Sequence, residues 1–186
     1  MTATEPEISI HEDDEGMSNL YPMAAREEAA ADVQDAIEAG IRNKVAGGIG
    51  WTDVHLVKAP STTFAGAGLT LDDTAAALSP LMPRVHRFWS GLLGRNDPLA
   101  MQQTGAYCFG FDATCFVKLE PKGELVESIW YEARSGDAKH MAILRQALVA
   151  IDALSPALIA DYWLDVTGPV SDPAFLDAYF KALNDL

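Results

Sequence analysis

The sequence predicts an α+β fold: an antiparallel meander around residues 105–133 packed with N-terminal and C-terminal helices. Two observations carry this. Strand-like runs are grouped in the middle of the chain and helix-like runs at its end, without the alternation of βαβ units. The 186 residues are 49% hydrophobic and 22% charged, the composition of one globular domain with a sizeable core.

Taken in order, residues 1–20 are polar and acidic and read as an arm, with Ile8-Ser9-Ile10 as a brief edge strand. Residues 21–186 read as a single domain. Ala30, Val33, Ile37, Ile41 and Val45 recur every three or four residues, which predicts an amphipathic helix over 23–45 with an acidic outer face. Gly47-Gly48 closes it. Trp51 to Val57 and Thr62 to Leu71 have strand character, and Asp72 or Asp73 caps a short helix through Leu78. Ser79-Pro80 opens a helix carrying Leu81, Val85, Phe88, Trp89 and Leu92. Asp97-Pro98 suits a single turn.

The meander comprises Ala106–Phe111, Thr114–Leu119 and Leu125–Ala133, with turns at Asp112-Ala113 and Pro121-Lys122-Gly123. Its two-residue period puts Tyr107, Phe109 and Phe111 on one face and Cys108 and Gly110 on the other. Three helices follow: one capped by Asp137 with Met141, Leu144, Leu148 and Ile151 inward, one from Pro156 towards Leu164, and one from Pro173 to Leu183.

The net charge is −14, and its distribution is uneven. Residues 1–40 hold eleven acids and one base, Arg26, whereas the remaining residues are near balance. Such a segment repels nucleic-acid phosphate and anionic membranes, and it attracts a basic protein. No signal-peptide pattern and no run near the roughly 20 apolar residues of a membrane span is present, so the cytoplasm is the expected location. Cys108 and Cys115 are expected to be reduced and buried.

No cofactor or metal is expected. Gly48-Ile49-Gly50 and Gly66-Ala67-Gly68 lack the third glycine of a dinucleotide loop. The four histidines, His11, His55, His86 and His140, fall in no zinc-ligand spacing. No nucleophile elbow surrounds any serine. Arg84, Arg87 and Arg134 suit an interface, and the alternative for them is an internal salt bridge, for which the acidic first helix is one candidate partner.

The acidic N-terminal part, the aromatic sheet from Tyr107 to Ala133, the helical C-terminus and the lack of a catalytic signature together resemble small bacterial immunity proteins. These neutralise the toxins of contact-dependent or type VI secretion systems. The resemblance is of general type and implies a stoichiometric inhibitor that binds a cognate toxin and occludes its active site; the charge asymmetry suits a basic one. On the charge asymmetry, the expected partner-binding residues are Glu12, Asp13, Asp14, Glu15, Glu27, Glu28, Asp32 and Asp35. Two other readings stay open. One is a small enzyme with a dispersed site around His55, His86, His140, Glu132 and Arg134; the other is a structural or adaptor subunit. The oligomeric state is left open.

Overall fold

A computed structural model describes residues 7–47 and 50–185. The expected turn at Gly47-Gly48 and the Gly48-Ile49-Gly50 triplet fall partly outside these residues. The chain folds as helices on a mostly antiparallel sheet of eight strands, an α+β architecture. The strands are β1 (Glu7–Ile10), β2 (Ser18–Pro22), β3 (Arg84–Ser90), β4 (Met101–Asp112), β5 (Cys115–Lys122), β6 (Leu125–Ala133), β7 (Ala157–Asp161) and β8 (Val166–Pro169). The helices are α1 (Arg26–Arg42), α2 (Leu71–Leu78), α3 (Ala138–Leu154) and α4 (Pro173–Asn184). Strand order is β1-β3-β4-β5-β6-β2-β7-β8, and only the β1–β3 pair is parallel.

The helix starts follow capping chemistry. Asp137 accepts from Lys139 N–H at the start of α3, and Asp172 accepts from Ala174 and Phe175 before Pro173 in α4. The cap of α2 is Thr70, whose hydroxyl accepts from Asp73 N–H at 3.1 Å, and not Asp72 or Asp73 as expected. Tyr107 and Phe111 pack against the same cluster as Phe109, while Cys108 belongs to the cluster on the opposite face.

Several expectations need correction. The helix expected after Ser79-Pro80 is strand β3, paired with β1 and β4. The helix expected from Pro156 is strand β7, paired with β2 and β8. Trp51 to Val57 and Thr62 to Leu71 form no strands; each contributes one isolated bridge, Lys44–Trp51 and Thr70–Leu125. A short 3-10 turn lies at Gly94–Asn96, just before the expected Asp97-Pro98 turn. The expected arm is built into the sheet from residue 7 onward: β1 forms one edge and β2 lies between β6 and β7. Ile8 and Leu20 are buried there.

Three apolar clusters account for the layers. One face of the sheet, including Phe109, Val117, Leu119 and Ile129, packs under α2, α3 and α4. On the other face α1 covers β2 and β7 through Ala29 and Val33 against Tyr21, Leu158 and Ala160. The rest of that face holds Phe88, Phe116 and Trp130. Strands β3 and β6 are three positions apart, about 14 Å in a flat sheet. Yet the Phe88 and Trp130 rings meet edge to face at 5.5 Å, so the sheet curls around its own aromatic cluster. Lys118 is buried within it, above the Phe88 and Trp130 rings, and pairs with Glu120.

Candidate functional site

The first helix does not present its acids as an open ridge. Glu28, Asp32 and Asp35 lie four and three residues apart, which places them on one stripe of α1. A segment without helix or strand, residues 52–61, runs along that stripe and is fastened by it. Glu28 accepts from Ser61 N–H at 2.8 Å and from its hydroxyl at 2.7 Å. Asp32 accepts from Lys58 N–H at 3.0 Å and faces His55 Nε2 at 3.0 Å. The Lys58 ammonium lies 3.8 Å from Asp35. At the near end, Thr52 N–H donates to Asn43 O and the Trp51 indole donates to Gly40 O at 3.1 Å. We term residues 51–61 the strap.

Between the strap, α1 and the turn after β7 lies a hollow of about 490 Å³. Ile37, Ile41, Trp51 and Val57 give it apolar walls, with His55 and Tyr162 as its inner polar groups. The Tyr162 hydroxyl donates to Asp32 at 2.7 Å. Burial, and then that bond to the carboxylate, push its ionisation far above the ordinary tyrosine range. Tyr21, hydrogen-bonded to Tyr162, is pushed up to about 12, again chiefly by burial. Both phenols therefore stay protonated as donors. A carboxylate only accepts, so the His55 Nε2–H is the donor in this pair. No serine, threonine or cysteine lines the hollow. Its walls suit binding an apolar group, and Lys44 and Asp165 complete its polar lining.

The other polar clusters are structural. Fully buried Asp161 accepts from Ser18, Tyr179, Trp163 N–H and Leu164 N–H. Arg134 clamps Glu132 at 2.8 Å and Asp14 at 2.9 Å. Burial raises the Glu132 carboxyl despite Arg134, while the Arg134 guanidinium is itself raised by Glu132 and Asp14, which outweigh its own desolvation. Both cysteines are free and buried. Burial pushes the Cys115 thiol up to about 12 and Cys108 higher still, which removes them as nucleophiles at neutral pH.

The predicted partner-binding residues divide into two groups. Glu12, Asp13 and Glu27 are exposed, Asp13 lying 3.5 Å from His11, and Glu27 has no partner among the described residues. The others are committed within the chain: Asp14 to Arg134, Glu15 to the Ser90 hydroxyl at 2.9 Å, and Glu28, Asp32 and Asp35 to the strap. Arg87 and Arg134 form internal salt bridges, with Glu7, Asp14 and Glu132 and not with α1. Arg84 lies over the Tyr107 ring and Arg87 approaches Glu7 at 3.8 Å. The residues proposed for a dispersed active site do not gather. His55 is on the strap, His140 stacks on Phe111, and Glu132 pairs with Arg134; none of the hollows described is lined by two of the five.

Sequence reasoning missed the exposed apolar residues. Ile41, Trp51, Val54 and Leu56 are 74, 62, 71 and 77% exposed, and Leu92, Leu93, Leu99 and Met101 form a second such group on the β3–β4 connection. The available signal was the run of large apolar residues Trp51, Val54, Leu56 and Val57 in a segment bounded by glycines and Pro60, too short to bury itself.

Comparison of the chain with protein-family models, with curated proteins and with solved structures finds no match. Among the described residues no helix is long and apolar enough to cross a membrane.

Proposed function

We propose that this protein is a non-catalytic binding protein of the immunity type, which inhibits a basic bacterial toxin by direct contact. One observation carries the reading. Among the described residues, ten of the thirteen large apolar side chains left exposed fall in two segments, 41–57 and 92–101. Clustered exposed apolar groups are a mark of interaction surfaces. Exposed carboxylates such as Glu12, Asp13 and Glu27, in a chain of net charge −14, favour a partner of opposite sign. The enzyme reading has less behind it, because its residues are scattered and burial holds both thiols protonated. An adaptor subunit would use the same surfaces, and it differs in leaving its partner's activity intact.

The test is recovery of the tagged chain from its native host. The expected result is a basic protein in 1:1 complex whose activity, reconstituted from purified components, falls to zero at one equivalent of this chain. Recovery of the chain alone, or with a partner whose activity excess chain leaves untouched, overturns the reading.

A further inference from the structure

Resting on the inhibitor reading, we propose that the strap is the recognition segment and that it fits a basic protein presenting a free strand edge. Along residues 54–57 the side chains alternate. Val54 and Leu56 point to solvent, His55 is turned to Asp32, and Val57 lines the hollow. This is the two-residue period of a β-strand, but no strand lies beside it. The N–H groups of His55, Leu56 and Val57 have no partner among the described residues, nor do the carbonyls of Val54 to Val57. Unpaired backbone at this density invites a partner strand, with alternate side chains seated in pockets.

The segment is fixed from beneath, which lowers the entropy lost on binding. Asp32 holds His55 and Lys58 N–H, Glu28 holds Ser61, and the Asp53 carboxylate accepts from Val54 N–H at 2.9 Å. Charge selects the partner. Asp53 stands at one end of the exposed stretch and Glu38 is exposed on the helix beside it, while Lys58 is answered by Asp35. A strand edge carrying lysine or arginine beside two apolar sockets complements this surface.

Hydrogen exchange on the full chain provides the test. In the free protein the amides of His55, Leu56 and Val57 should exchange near the unprotected rate; slow exchange there overturns the proposal before any partner is added. With the co-purified basic partner, those three amides should slow by at least about tenfold. Leu56→Asp should weaken the complex about 100-fold without moving the urea midpoint, while Leu93→Asp leaves affinity within about threefold. Protection confined to residues 91–101, or Leu56→Asp binding like the wild type, overturns the strap as recognition segment yet leaves the inhibitor reading standing. Protection at 55–57 that grows with the concentration of the chain alone assigns the edge to a second copy and overturns the basic partner. Recovery of no basic partner removes both.

Discussion

Asp161 shows how a single carboxylate joins distant parts of this chain. It is fully buried at the end of β7 and takes the Ser18 hydroxyl at 2.8 Å, the Tyr179 hydroxyl at 2.7 Å and two backbone N–H groups at 2.9 Å. Tyr179 in turn meets Tyr131 at 2.8 Å, so β2, β6, β7 and α4 share one hydrogen-bonded network. Burial first, and the neighbouring groups second, keep both phenols protonated far beyond neutral pH. Removing the acceptor strands several buried donors at once, and each unsatisfied group costs about 1–3 kcal/mol. Asp161→Ala should therefore lower the unfolding free energy by about 3–5 kcal/mol in urea titrations at pH 7. A loss under about 1 kcal/mol would mean that water replaces the carboxylate and that the network is not a keystone. Lys118 differs in kind. Its ammonium is buried, but it rests on aromatic faces and on a half-exposed carboxylate, so its burial is compensated locally.

At the scale of elements, the strap and α1 behave as one unit, and pH reports on their junction. Glu28 is held below the ordinary carboxylate range by the Ser61 N–H and then by the Ser61 hydroxyl. Folding thus favours its ionised form. The contribution is complete above the unfolded carboxylate value and is lost as pH falls through the lower folded value. The Ser61 amide should exchange faster in Glu28→Gln than in wild type at pH 7, and the difference should disappear at a pH well below the ordinary carboxylate range. A difference that persists unchanged at that pH would assign the effect to shape and not to charge. The same junction explains what the sequence concealed. Asp32 sits between Ala29 and Val33 on the inward stripe of α1, so its position among buried neighbours was readable, but acidity alone had placed it outside. Strand β3 imitated a helix because the register shift between Val85 and Arg87 puts Val85 and Phe88, three residues apart, in one cluster. Strand β7 gave no alternation because it is covered on both sides, Ala157 and Ile159 by one cluster and Leu158 and Ala160 by another. Capping residues such as Asp137 and Asp172 were legible because their chemistry is local.

At the scale of the whole molecule, the negative charge is split between two tasks. Part of it is consumed in building the N-terminal half: Glu7 and Asp14 join strand β1 and the following turn to Arg87, Arg95 and Arg134, and Glu28, Asp32 and Asp35 fasten the strap. The remainder, including Glu12, Asp13 and Glu27, faces solvent and acts only through its field. These two groups predict different kinetic signatures towards a basic partner. Neutralising Glu12, Asp13 and Glu27 together should slow association several-fold, roughly 3–10-fold, at low ionic strength and flatten its salt dependence, with dissociation and the unfolding midpoint little changed. Neutralising Glu28, Asp32 and Asp35 should instead loosen the strap, so that dissociation accelerates and stability falls, with a smaller change in the salt slope. Stopped-flow association at several salt concentrations, paired with urea midpoints for both triple variants, separates the two. If the first variant altered stability as much as the second, Glu12, Asp13 and Glu27 would have to be counted as structural. The exposed charge could then not be held in reserve for a partner.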